Sequence, residues 1–345
     1  MTQQAGIKDI AKRAGVSTAT VSRTLRNPQL VSVATKEKVM TAVNALNYRP
    51  NQMGSNLRTK RTGNIVVIIP DITNPFNAGV IRAIEQVAQT RGYSVLLGDT
   101  QGDEIRIRHY AGMVASRQAD GIILFSQFMP FVAEDASLLP VLPPLVNSCE
   151  DCGIEGIHKV MIDNRAAAIM AVNHLIGLGH RRIACITGPT NVHSSIERLT
   201  GYQQALKSAG IDVEPQWLQV GDYQLQSGID AAQRLLSPAT QHSPQKAPTA
   251  IFCFNDEMAM GAMSLLQRQG YRIPQDISII GFDDIRFAQY TNPSLTTIRQ
   301  PVEQIGRACI DSLIKQMSDE PCADDYIELA VELVKRESTA KVVAG

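Results

Sequence analysis

From Asn64 onward the chain alternates apolar stretches of strand length with amphipathic stretches of helix length, and this alternation restricts the fold more than any other feature. The strand candidates are 64–70, 93–98, 121–125, 143–147, 159–162, 182–187, 249–254 and 277–282; helices such as 77–91, 166–178, 195–209 and 256–269 lie between them. Strands that are apolar throughout are buried on both faces, which implies parallel sheets covered by helices. Roughly 280 residues is large for one such sheet. Two α/β lobes are therefore expected in a body over 63–345, one lobe from 63–161 and 291–323, the other from 162–290 and 324–340.

Residues 1–62 are of another kind. They hold eleven Lys and Arg against Asp9 and Glu37, a net +9, while the remainder holds 22 basic against 31 acidic residues, a net −9. A basic head on an acidic body points to a polyanionic partner for the head alone. Within it, Ile7, Ile10, Ala11 and Ala14 fall at helical spacing and Gly15 stops that helix. Ser17 can cap a second helix running to Arg26, which Asn27-Pro28 breaks, and a third runs from Ala34 to Asn47 with Val39, Ala42, Val43 and Leu46 on its apolar face. Residues 1–48 are thus expected as a small all-helical head, and the polar stretch 49–62, with one modest helical segment over Asn51–Arg58, as a linker.

Helix, tight glycine turn, then a helix opening in Ser and Thr is the helix-turn-helix layout, whose second helix can lie in the major groove. Thr18 and Ala19 would reach base edges first, Arg23 one turn later can make a forked contact to guanine, and Ser17, Thr20 and Ser22 suit phosphates.

Other chemistries find no support. No stretch approaches the roughly 20 apolar residues of a membrane helix, and the polar N-terminus lacks the apolar core of an export signal, so a cytoplasmic, nucleoid-associated protein with reduced thiols is expected. Cys149-x-x-Cys152 has no second pair, so no metal is expected. Neither G-x-G-x-x-G nor a P-loop occurs, and no nucleophile motif accompanies His174 or His180; no cofactor and no catalytic residue are expected.

Val16-Ser17-x-x-Thr20-Val21-Ser22-Arg23 resembles the signature of the LacI/GalR family of bacterial transcription regulators. Further matches follow in order: Tyr48-Arg49-Pro50-Asn51; Leu178-Gly179-His180-Arg181-Arg182-Ile183-Ala184 with Gly188-Pro189; Asn255-Asp256-Glu257-Met258-Ala259-Met260-Gly261; Ile280-Gly281-Phe282-Asp283-Asp284; and Leu333-Val334-Lys335-Arg336-x-Ser338-Thr339. Within the family the chain looks most similar to the cytidine-repressor branch. The resemblance implies that the linker forms a hinge helix on DNA, entered at Asn51, with Leu57 wedged into the minor groove beside Arg58, the chemistry of minor-groove kinking.

It also implies a periplasmic-binding-protein-like body that closes on a ligand. Asn74-Pro75-Phe76 resembles the segment of ribose binders in which Asn bonds a hydroxyl and Phe stacks on the sugar, with Asn77 where those proteins have a second Phe. Arg198, Tyr223, Asn255, Asp283 and Gln300 match further ligand positions. Forked amides, a carboxylate and a guanidinium suit sugar hydroxyls, and aromatic rings suit apolar ring faces. Asp283 balances Arg198, so a neutral ligand is expected: a ribose-like sugar or a nucleoside, the latter slightly favoured because Asn77 leaves space and a polar edge.

The expected protein is a repressor, homodimeric or higher-order, on a pseudo-palindromic duplex operator, whose affinity shifts with a ligand bound between the lobes. A purine-type corepressor mode is the alternative sign of the same coupling. A solute-binding transport protein would fit 64–340 but not the +9 head, and no membrane partner is expected.

Overall fold

The computed structural model describes residues 5–48, 61–131, 142–237, 247–318 and 325–342, and the chain divides into two units, one ending at Arg61 and the other beginning at Thr62. The expected hinge segment 51–58 lies outside the described residues, as do Asn51, Leu57 and Arg58.

The first unit contains helices α1 (Ile7–Ala14), α2 (Thr18–Arg26) and α3 (Val33–Ala45). Gly15 ends α1 at φ 63° and donates its N–H to the Ala11 carbonyl, a left-handed cap that favours glycine. Ser17 and Ser32 then cap α2 and α3, each hydroxyl accepting the N–H of the residue three further on. Ile10, Val21 and Val39, one from each helix, are fully buried together. The third helix ends at Ala45 rather than Asn47, because Asn47 turns to φ 46°.

The second unit is built from two six-stranded sheets. In chain order its elements are β1 (Asn64–Ile69), α4 (Pro75–Thr90), β2 (Ser94–Asp99), α5 (Glu104–Ala115), β3 (Gly121–Leu124), β4 (Leu145–Ser148), β5 (His158–Ile162), α6 (Asn164–Gly177), β6 (Ile183–Thr187), α7 (His193–Ser208), β7 (Leu218–Val220), α8 (Leu225–Leu235), β8 (Ala250–Cys253), α9 (Asp256–Arg268), β9 (Ser278–Asp283), β10 (Thr296–Arg299), α10 (Val302–Met317), β11 (Tyr326–Leu329) and β12 (Glu332–Val334). The sheet orders are β11-β5-β4-β3-β1-β2 and β12-β10-β9-β8-β6-β7. All pairings are parallel except β10 with β12. The α/β class read from the apolar strands is the observed one: β1 is buried from Ile65 on, and β3, β6, β8 and β9 throughout.

Three boundaries differ from the sequence reading. Lobe 1 was expected to include 291–323 and lobe 2 to include 324–340, but β10 pairs with β9 in the second sheet and β11 with β5 in the first. The chain therefore crosses between lobes after Arg299 and after Leu329, besides the crossing after Ile162 that the sequence did suggest. Strands of four residues carry too little pattern to say which sheet they join; partners distant in sequence decide. The linker was expected to extend to 62, yet Thr62 and Gly63 donate their N–H groups to the two carboxylate oxygens of Asp120, at 2.7 and 2.8 Å, which fixes them to the body.

Helices α8 and α9 pack closely because both are notched by glycine. The Leu225 carbonyl fills the space a Cβ on Gly261 would need, and Met258 backbone does the same at Gly228. Gly261→Ala should therefore destabilise the body by about 1–3 kcal/mol through overpacking; thermal unfolding of the full chain checks this, and an unchanged midpoint would contradict the close approach.

Candidate functional site

On the head, α2 turns Val21 and Thr24 inward, while Thr18, Ala19 and Arg23 are exposed and Thr20 and Ser22 half-buried. Thr18 with Ser22 and Ala19 with Arg23 are spaced i, i+4 and so share one face. Ser17 accepts from the Thr20 N–H at 3.1 Å, and its hydroxyl lies 2.9 Å from that of Thr20. Both hydroxyls, expected as phosphate contacts, are thus already engaged in the cap.

In the body, a cavity of about 100 Å³ lies between the lobes and is lined by all seven expected ligand residues, Asn74, Phe76, Arg198, Tyr223, Asn255, Asp283 and Gln300. Six of them follow the carboxyl end of a strand or open the helix after it: Asn74 and Phe76 after β1, Tyr223 after β7, Asn255 after β8, Asp283 at the end of β9 and Gln300 after β10; Arg198 comes from the second turn of α7. Ligands of open α/β sheets bind at such ends.

Several of these side chains have a structural duty as well. Asn74 Oδ1 caps α4 by accepting the N–H groups of Phe76 and Asn77, at 2.9 and 3.3 Å. Asn255 Oδ1 caps α9 through the Met258 N–H at 2.9 Å, while its Nδ2 donates to the Tyr223 carbonyl at 2.7 Å. Asn77 donates one N–H of its amide to the Asp71 carbonyl at 2.8 Å, which fixes the side chain in its own loop and leaves its second N–H and its oxygen for the polar edge expected there.

Arg198 is only 6% exposed. Its Nε donates to Asn164 Oδ1 at 2.8 Å, its Nη1 to the Phe254 carbonyl, and its guanidinium carbon lies 3.6 Å from the centre of the Phe282 ring. Burial raises the Asp283 carboxyl to about 7, against the lowering effects of Arg198 and a hydrogen bond from Gln300 Nε2 at 2.8 Å. The Tyr223 hydroxyl sits 2.5 Å from Ser195 Oγ and 3.2 Å from Ser194 Oγ. Tyr223 itself holds φ 72°, and a Cβ on Gly188 would strike its ring, which gives the Gly188-Pro189 pair a physical reason.

Sequence reasoning missed Phe125, Cys149, Glu150 and Ser194, which line the same cavity. Glu150 bridges the lobes: its Oε1 accepts from Ser194 Oγ at 2.5 Å and its Oε2 from the Ser194 N–H at 3.0 Å. Burial raises its carboxyl above the ordinary value even so. The available signal was its place two residues past the apolar strand β4. Cys149 and Cys152 both carry free thiols, and no three His, Cys, Asp or Glu residues among the described ones are grouped to hold a metal. The cavity thus holds one guanidinium and two carboxyl groups rather than the balanced pair expected, and both carboxyls are biased toward their neutral forms. His180 is structural: its ring nitrogens lie 3.0 Å from Thr249 Oγ1 and 3.1 Å from both Ser278 Oγ and the Ala340 carbonyl oxygen.

Comparison with known proteins agrees with this geometry. Residues 6–51 match the family model of bacterial regulatory proteins of the lacI family, and residues 172–339 that of the periplasmic binding protein-like domain. The chain is 42% identical to the HTH-type transcriptional repressor CytR of Escherichia coli K12, over 97% of this chain and 96% of that one. The chain belongs to the lacI family of bacterial regulatory proteins. The HTH-type transcriptional repressor PurR of Photobacterium profundum is 36% identical over 97% of this chain and 98% of its own. A solved lac repressor dimer, bound to operator and the anti-inducer ONPF, superposes with a TM-score of 0.85 at 27% identity, covering 98% of this chain and all of that one. As a lacI-family member the chain is a DNA-binding transcriptional regulator. Among the described residues no helix is long and apolar enough to cross a membrane.

The Asp283 carboxyl gives a pH test. Its folded-state value lies above the ordinary 3.8, so the folded state holds the proton more tightly, and this group's contribution to stability falls as pH rises from about 4 to about 7. Asp283→Asn removes that loss. The stability difference between Asp283→Asn and the parent should therefore grow in the variant's favour from pH 4 to pH 8, by on the order of 4 kcal/mol. Denaturant unfolding at several pH values measures it, and a difference independent of pH would show that Asp283 ionises normally.

Proposed function

We propose that this lacI-family protein is a repressor that binds a pseudo-palindromic operator as a homodimer, and that a small neutral polyhydroxyl compound in the interlobe cavity shifts its operator affinity. It acts in the cytoplasm, where the DNA is. Pairing of heads follows from scale: one three-helix head reaches too few base pairs for specificity, and two-fold proteins read two half-sites. On the head, Ser17, Thr18, Ala19, Thr20, Ser22 and Arg23 are the candidate DNA contacts, joined by Asn51, Leu57 and Arg58 from the segment that follows.

The observation that carries the ligand class is the meeting of Arg198, Asp283, Glu150 and the amides of Asn255 and Gln300 in one buried cavity with Phe76 at its wall. Forked donors and acceptors serve adjacent hydroxyls, and the aromatic ring serves an apolar sugar face. Any charge remaining on the two carboxyl groups opposes a phosphate, and only one guanidinium attracts it. A volume of about 100 Å³ favours one furanose ring. The neighbouring groove, about 890 Å³, shares Phe76, Asp283 and Gln300 with the cavity and offers room for a nucleoside base. Ribose and ribonucleosides are therefore the favoured ligands. Closure on the ligand changes the angle between the lobes, and a coupling of about 1–3 kcal/mol to DNA affinity is of the ordinary size.

Calorimetry with ribose, ribonucleosides, a hexose and a hexose phosphate tests the class. Ribose or a ribonucleoside should bind, and Asp283→Ala should abolish the response while operator binding persists. Tight binding of the hexose phosphate with no response to the others would overturn the assignment. For the head, operator affinity should fall with salt at a log–log slope steeper than about −3. Arg23→Ala should cost roughly 1–3 kcal/mol and relax discrimination at one base per half-site; an equal loss on all sequences in a gel-shift series would make Arg23 a phosphate contact instead.

A further inference from the structure

Asp283 and Asp284 are consecutive residues that both hold left-handed backbone, at φ 109° and 56°. Neither is glycine, so the surrounding structure must impose the conformation. The two carboxylates point to different places. Asp283 faces the cavity with Gln300. Asp284, whose side chain is 8% exposed, takes Arg299 Nε at 2.7 Å and Arg336 Nη2 at 2.6 Å.

These partners sit where the chain passes between lobes. Arg299 is the last residue of β10, one before Gln300 and just ahead of the crossing to α10. Its Nη1 reaches Glu332 at 2.9 Å, the first residue after the return crossing. Arg336 also donates to the Leu295 carbonyl at 2.7 Å, ahead of β10. On the far side of the strained pair, the buried Asp256 accepts from the Ile285 N–H at 2.9 Å and from Thr297 Oγ1 at 2.6 Å. The turn that aims Asp283 into the cavity is therefore clamped on both flanks, and on one flank the clamp is made of the strands that lead through two of the three interlobe crossings.

We propose that Asp284 is a positioning residue that couples the ligand cavity to the interlobe hinge: through Arg299 and Arg336 it links a displacement of Asp283 to the strands entering and leaving the crossings. This rests on the reading that a ligand occupies the cavity and alters operator affinity. Asp284 lines the neighbouring groove and not the cavity, so it touches no part of a sugar ring held in the cavity. Its loss should spare binding more than it spares the response.

Asp284→Asn keeps the size and removes the charge. Arg299→Gln is the second variant; it cuts the link to Asp284 and Glu332, leaves the Arg336 pair in place and lies at a half-exposed site. Operator affinity of the full chain is measured by gel shift without and with saturating ribose, whose ring fits the cavity alone, and binding of the same probe by calorimetry. Both variants should hold operator without probe as the parent does and bind the probe within about threefold, while the probe's effect on operator affinity drops at least tenfold or to none. A parental response in Asp284→Asn, or a response lost only in proportion to probe binding, overturns the coupling role.

Amide hydrogen exchange without any probe separates this from failure of the ligand reading. In Asp284→Asn, exchange should quicken at least tenfold at 283–286 and 299–302 and stay unchanged in β6 and β8. Parental exchange at 283–286 overturns the proposal even if no probe in the panel acts on the parent protein.

Discussion

A guanidinium that is almost wholly out of water sets the terms for the body. Burying a charge costs several kcal/mol unless acceptors and counter-charges meet it. Arg198 obtains them from three places: the Asn164 amide at the first interlobe crossing, the carbonyl of Phe254 at the end of β8, and the face of Phe282 in β9. Those three must be brought together before Arg198 can be buried, and they come together only when the second sheet is assembled with its strands in order. The fields that favour its charge also come from the cavity, where Asp283 and Glu150 lie, so the same electrostatic accounting that stabilises the lobe also prepares a polar, nearly neutral interior.

The cavity is built from residues that the fold already uses. Asn74 and Asn255 cap helices with one side-chain atom and line the cavity, and Gly188 yields the space that the Tyr223 ring occupies. Such double use ties the geometry of the cavity to the placement of helix starts at the ends of parallel strands. It also keeps the polar groups oriented before a ligand arrives, which lowers the ordering cost of binding. The direct bonds from Ser194 to Glu150, from Gln127 to the Asn191 carbonyl, and from Gln224 to Asp71 at 3.0 Å join the two lobes around this cavity.

The head works on a different principle. Its core is small, with Ile10, Val21 and Val39 at the centre, so serine caps and the glycine stop carry more of its order than they would in a larger domain. What it offers outward is a short helix whose exposed row is free of apolar bulk, in a segment of net +9 charge. Electrostatic attraction to phosphates then needs no shared architecture with the acidic body, and the two units divide the tasks of holding DNA and sensing a ligand.

Local rules were enough for much of this. Helical spacing, Ser17 and Gly15 place α1 and α2 within a residue, and continuous apolar runs mark the central strands because burial on both faces leaves no polar alternation. Of the seven residues drawn from the family resemblance, six meet in one cavity because they fall at strand ends, and Arg198 reaches it from inside α7. Tertiary structure decided the rest. The sheets to which β10 and β11 belong depend on pairing with β9 and β5, which no four-residue pattern encodes, so the lobe boundaries came out shifted. Glu150 and Asp256 are single carboxyl groups whose meaning lies in what faces them: Ser194 from the opposite lobe, and the strained turn at Asp283 and Asp284. A sequence states which groups can bond and how each local segment is inclined to fold; desolvation and distance, which fix what a buried carboxyl does, exist only once remote segments have packed.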